Sequence, residues 1–190
     1  MRQFKGKFYV KEVYQRIAWA QYLQGQEQKA KATLQNLLRQ GATQSDADKK
    51  AQRDALAGSL PHPLLLKARL LNDGGYNTEA FALLAGKSED DFTQEAEKLE
   101  FAYRAARIQE DLGKTEEAIR NYKIAARKGE MRPEHFGARA ALQLGMIYEA
   151  RGQKDLAIVY YKKCLAMENH DYKDSLDQKA KAGIARCSGE

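Results

Sequence analysis

Residues 73–84 read DGGYNTEAFALL, and two readings compete for that stretch. A glycine pair after an acid, opening an apparent helix, suits a loop that cradles a phosphate or a cation. It equally suits a tight bend between two helices. The stretch has three siblings: LQGQEQKAKATL at 23–34, DLGKTEEAIRNY at 111–122 and ARGQKDLAIVYY at 150–161. All four carry Gly at the third place and Ala at the eighth: Gly25/Ala30, Gly75/Ala80, Gly113/Ala118 and Gly152/Ala157. Each ends on a large residue, Leu34, Leu84, Tyr122 or Tyr161. A small residue stands seven places before each glycine: Ala18, Ala68, Ala106 or Gly145.

That spacing describes a helical hairpin. One helix ends, a glycine takes a positive φ without a Cβ penalty, and a second helix returns against the first. The small residue before the bend and the alanine after it let the two helices approach, while larger residues fill the grooves between hairpins. A phosphate loop would need converging amides, normally after a strand, but HPLLLKARLLN before Gly74 has helical and not alternating periodicity. A calcium loop would need more oxygens at fixed places. The DGG is therefore read as a bend.

These columns match the pattern of tetratricopeptide repeats. The segment LQLGMIYEARGQKDLAIVYYKKCL (142–165) resembles that family best, through Leu144-Gly145, Tyr148, Gly152, Ala157, Tyr161 and Cys164. The third copy has Ala105 and Ala106 where the family prefers Leu-Gly, and the first two keep only the small–Gly–Ala columns. Gly25, Gly75, Gly113 and Gly152 lie 50, 38 and 39 residues apart, against about 34 for the usual repeat. The long first interval houses SDADKKAQRDALAG (45–58), an inserted short helix with a Ser-x-x-acid start and Gly58 as its stop. The stretches FKGKFYVKEVYQRIAW, LLKARLLNDGGY, LGMIYEARG and HDYKDSLDQKAKAGIARC also resemble the C-terminal region of tetratricopeptide proteins of Bacteroidota whose activities are mostly unassigned.

The resemblance implies an all-α fold, a right-handed α-solenoid of about four helix pairs forming one domain over 1–190. The units run roughly 8–40, 62–85, 93–128 and 133–168, with the insert at 45–58 and a C-terminal capping helix at 174–187. Pro133 reads as the first residue of its helix, and Ser175 with Gln178 as a capping box. The last helix would cover the apolar end of the stack.

Charged residues are 31% of the chain and prolines number three, which suits a helical protein and argues against disorder. No apolar run approaches the roughly 18–20 residues that a membrane span needs. The start lacks the apolar core of a secretory signal. Because the chain opens directly into a helix, the sequence reads as a possible portion of a longer protein. The compartment stays open: soluble, and cytoplasmic or periplasmic if an upstream signal has been removed. Net charge is +6, from 32 basic against 26 acidic residues, with the signs interspersed and not clustered as nucleic-acid binders cluster them. Nucleic acid is therefore the weaker partner class. It would use the N-terminal segment with Arg2, Lys5, Lys7 and Lys11 beside Phe4, Phe8 and Tyr9, as would an anionic membrane.

Chemistry is hard to find. His62, His135 and His170 fall in different units, each near a helix start, and Cys164 and Cys187 have no CxxC or Cys/His spacing. Asp171, Asp174 and Asp177 read as acids collected at a helix start and not as a metal loop. No GxSxG, Walker or HExxH motif occurs. We expect no catalytic residue, cofactor or metal, and hence no enzyme.

The resemblance instead implies a scaffold that holds a partner protein or peptide, or another region of its own chain, on the concave face lined by the first helix of each pair. Aligned on the turn glycines, the groove candidates are Gln15, Trp19 and Tyr22 in the first unit and Arg69, Asn72 and Asp73 in the second. Tyr103, Arg107 and Glu110 follow in the third, and Arg139, Met146 and Glu149 in the fourth. Two readings of the arginines stay open. They grip a partner's carboxylate, or they pair with Asp73, Glu110 and Glu149 within the protein. Trp19, in the apolar run IAWAQYL, is either a binding anchor or core.

Overall fold

The structure, a computed structural model, describes residues 6–189. Among them are ten α-helices and one short 3-10 turn. The chain divides into two compact units, Met1–Leu66 and Lys67–Glu190.

The first unit holds α1 (Val10–Leu23), α2 (Glu27–Leu38) and α3 (Asp46–Ala57), followed by the start of α4 (Pro63–Asp73). Ala18, Ala30, Leu34, Leu37, Ala51 and Ala55 form its core, with Tyr14, Tyr22, Leu38 and Leu60 packed against them. The inserted helix α3 is where the sequence puts it, and Ser45 caps it by accepting a hydrogen bond from the Asp48 amide. Its further role has no local signature. The Asp48 carboxylate is fully buried and accepts hydrogen bonds from the amides of Tyr9 (2.6 Å), Lys11 (2.9 Å) and Glu12 (3.2 Å), so α3 caps the N-terminus of α1. Lys11 completes the arrangement. Its buried ammonium donates to the carbonyls of Leu37 (3.0 Å) and Leu38 (3.4 Å), the C-terminus of α2. Both charges oppose the helix end they meet, which is the favourable sense of the helix dipole. Lys11 is therefore withdrawn from the basic N-terminal segment suggested as a surface for nucleic acid or membrane. Lys7, Phe8 and Tyr9 are exposed, and Arg2, Phe4 and Lys5 lie outside the described residues.

The second unit continues α4 into α5 (Asn77–Leu84), a 3-10 turn (Glu89–Asp91), α6 (Glu95–Asp111), α7 (Thr115–Lys128), α8 (Phe136–Ala150), α9 (Lys154–Ala166) and α10 (Lys173–Ser188). One apolar core runs through α6 to α10. The four bends are alike. Gly25, Gly75, Gly113 and Gly152 sit at φ between 72° and 82°, and the next residue's amide reaches back to the carbonyl four before the glycine at 2.8–2.9 Å. That is the Schellman ending of a helix. The paired alanines Ala18/Ala30, Ala68/Ala80 and Ala106/Ala118 are all fully buried.

Gly145 has a reason of its own. A Cβ there would stand 2.5 Å from the Tyr161 ring, and one at Gly183 of α10 would stand 2.4 Å from the same ring. The fully buried Tyr161 thus lies between glycines of α8 and α10. Its neighbour Tyr160 is not left to solvent: it stacks on Tyr148, ring centroids 5.4 Å apart.

Two expected helix starts are corrected. Helix α8 begins at Phe136 and not at Pro133, whose carbonyl instead accepts the amide of Asp171 (3.3 Å) in the loop before α10. Helix α10 begins at Lys173, so Ser175 lies inside it and forms no capping box. Tyr172, in the left-handed region at φ 62°, precedes the first turn.

Candidate functional site

Within the second unit, α6, α8 and α10 present side chains to a shared open groove of about 600 Å³. Its apolar lining is Tyr103, Leu142, Met146, Leu176 and Ala182; its polar lining is Arg107, Glu110, Arg139, Gln143, Lys179 and Arg186. Met146 is 47% exposed, whereas Tyr103 is buried at 3% and packs on Tyr122 and Phe136.

The acids of this groove are committed to the protein. Glu110 accepts hydrogen bonds from the Tyr122 hydroxyl (2.6 Å), Gln143 (3.0 Å) and Arg107 (3.0 Å). One repeat on, Glu149 accepts from the Tyr161 hydroxyl (2.5 Å) and from Arg186 at 2.7 and 2.9 Å. The Arg186 hydrogen bonds hold the Glu149 carboxyl below its ordinary pKa, and burial followed by the Glu149 contact pushes the Tyr161 phenol upward. Glu110/Tyr122 and Glu149/Tyr161 occupy the same repeat positions. Each ties the end of one helix to the middle of the next.

The cations divide into two kinds. Arg107 spans Glu110 and Asp111 (3.0 and 3.2 Å) and Arg186 is bound to Glu149. Arg139 is half-buried, with its guanidinium 5.9 Å from the centre of the Tyr172 ring. Among the described residues neither Arg139 nor Lys179 forms an ion pair.

Of the twelve candidates from the sequence, Tyr103, Arg107, Glu110, Arg139 and Met146 line this groove, and Glu149 stands beside it through Arg186. The other six do not line it. Arg69 reaches Asp73 at 3.6 Å along its own helix. Asn72 is buried and donates to Asn77 and Asp111, both at 2.8 Å, joining α4 and α5 to the end of α6. In the first unit, Gln15 is buried and bonded to Asp54 (2.9 Å), and Tyr22 packs on the core. Trp19 is 4% exposed, with the Arg16 guanidinium 5.4 Å from its ring centre. The internal-pairing reading therefore describes Arg69 and Arg107. It does not describe Arg139, because Glu149 is taken by Arg186 and Tyr161.

The wall contributed by α10 was not foreseen. The signal for it was Gly189, 37 residues after Gly152, which takes φ 79° at the end of α10. A second, mostly apolar cavity of about 430 Å³ lies among α5, α6 and α7. Helix α5 has 8 residues against 14 in α7, and Phe81, Phe101 and Ile124 line the gap.

A family model described as tetratricopeptide repeat matches residues 138–171, and a second of the same description matches 12–40. Those two segments are similar to tetratricopeptide repeats. The first match begins two residues inside α8, and the second takes in most of α1 and all of α2. Together they cover about a third of the chain. No curated protein and no solved structure matches significantly. Tetratricopeptide repeats generally mediate protein–protein interaction and are typically scaffolds without catalytic activity. The fold is all-α and built of such hairpins, as an α-solenoid requires. Among the described residues no helix is long and apolar enough to cross a membrane, and no three His, Cys, Asp or Glu side chains gather as a metal site.

Proposed function

We propose that the groove of α6, α8 and α10 holds a segment of a partner protein, or of a longer chain to which these residues belong, and that the protein is a non-enzymatic scaffold. The observation that carries this reading is the groove itself. Three successive inward helices leave about 600 Å³ open, with the Met146 side chain exposed in it and apolar side chains from each helix beneath. An extended peptide placed there would bury its own apolar side chains on that lining while its backbone stayed near the polar rim. The test is a photo-crosslinking amino acid placed at Met146, compared with the same group at Val159, which is 57% exposed on α9 and absent from the groove lining. Adducts to one defined peptide segment from Met146 alone are expected. Equal yields from both positions would remove the groove from the reading.

A further inference from the structure

We infer that the segment taken by this groove is acidic, and that its side-chain carboxylates are received by Arg139 of α8 and Lys179 of α10. The inference rests on the groove reading above and specifies its ligand. Four cations and one carboxylate line the groove. Two of the cations are already answered: Arg107 by Glu110 and Asp111, Arg186 by Glu149. The one carboxylate, Glu110, is filled by Tyr122, Gln143 and Arg107. Arg139 and Lys179 are thus the uncompensated charges, on the two helices that carry Leu142 and Leu176 of the apolar lining.

Their situation is unlike that of Arg104 of α6. Arg104 is buried but holds Glu100 at 3.1 Å through two nitrogens. Arg139 is half-buried beside the Tyr172 ring, so part of its hydration is already lost and an incoming carboxylate would meet a partly desolvated donor. The cavity among α5, α6 and α7 carries one cation, Lys87, and one acid, Glu89. A nucleic acid would answer the same charges. It would find no exposed aromatic face for its bases, because the groove's one ring, Tyr103, is 3% exposed. It would also leave the exposed Met146 side chain without an apolar partner. An acidic peptide with interspersed apolar residues satisfies both surfaces.

The experiment uses dodecapeptides blocked at both ends, so that side chains supply every charge, and measures binding by fluorescence anisotropy. One set alternates Glu or Asp with Leu or Met, a second replaces the acids by Gln or Asn, and a single-stranded DNA dodecamer is the third probe. The proteins are the full chain, its Arg139→Glu/Lys179→Glu variant and its Met146→Asp variant, each checked for unchanged helical circular dichroism. The acidic set is expected to bind at least about tenfold tighter than the amide set, and to lose about that factor in the charge-reversed variant. Equal binding of the amide set, lost in Met146→Asp, overturns the acidic ligand and leaves the groove reading standing. Binding of all sets untouched by Met146→Asp, or no binding, overturns both. DNA held as tightly as the acidic peptides, and released by charge reversal, overturns the peptide in favour of a polyanion.

Discussion

The hairpin α1–α2 and the hairpin α8–α9 share their turn geometry and little else. In the first, the helix ends are joined by buried charge: Asp48 of α3 on the N-terminus of α1, Lys11 of α1 on the C-terminus of α2. In the second, the joint is steric, with the Tyr161 ring between Gly145 and Gly183 and its hydroxyl on Glu149. The repeat pattern fixes where a bend and a close approach must fall, and leaves open what holds the neighbouring helix. A helix inserted after α2 supplied a carboxylate; a helix following α9 supplied a glycine. A repeat matched only through its small–Gly–Ala columns need not be loosely built.

Removing Asp48 should have the largest effect. Asp48→Ala leaves the amides of Tyr9, Lys11 and Glu12 without their acceptor and is expected to cost about 3 kcal/mol. Urea denaturation followed by Trp19 fluorescence would read it in the first unit, since Trp19 is the only tryptophan. Hydrogen exchange in the same variant sharpens the comparison. Faster exchange confined to 10–57 would separate the two modes of construction, whereas equal loss of protection in α8–α10 would favour one cooperative domain over 1–190, which we also propose. Next is Gly183→Ala. Its Cβ would stand 2.4 Å from the fully buried Tyr161 ring, an overpacking expected to cost about 2 kcal/mol by urea denaturation followed by helical circular dichroism.

A smaller effect should appear as a slope against pH. Burial, with Lys173 nearby, lowers the pKa of His170 from its ordinary 6.5. The folded state then binds fewer protons than the unfolded state, so this stability is complete above 6.5 and is lost as pH falls through that value towards the lower folded pKa. Urea midpoints between about pH 5 and 7.5 should decline on acidification, and His170→Gln should flatten the decline. The smallest change is Arg69→Ala. Its pair with Asp73 lies along one helix and is partly exposed, so a loss of no more than about 0.5 kcal/mol is expected. A loss several times larger would show that the second hairpin also depends on charge.

The helices were legible because their ends are local. A glycine forced to positive φ marks a bend from sequence alone, and so does the Ser45–Asp48 start of α3. The failures are where a distant group set the boundary. Pro133 gave its carbonyl to Asp171, and Asp48 spent its carboxylate on amides 36 to 39 residues earlier, as no local pattern could foretell. The groove shows the same division. Counting back from the turn glycines brought together Tyr103, Arg107, Glu110, Arg139 and Met146, but it also nominated Gln15 and Asn72, which the interior consumes. The α10 wall escaped because that helix was read as a cover for an apolar end and not as another inward face.

Lys11 gives the first unit a built-in clock. It is 3% exposed, with its amine hydrogen-bonded to the end of α2. An amine-acylating reagent would mark the surface lysines at once and reach this one only when α1 lifts from α2. Mass-resolved labelling at position 11 would then time that opening directly, in the unaltered chain and with or without a partner in the groove.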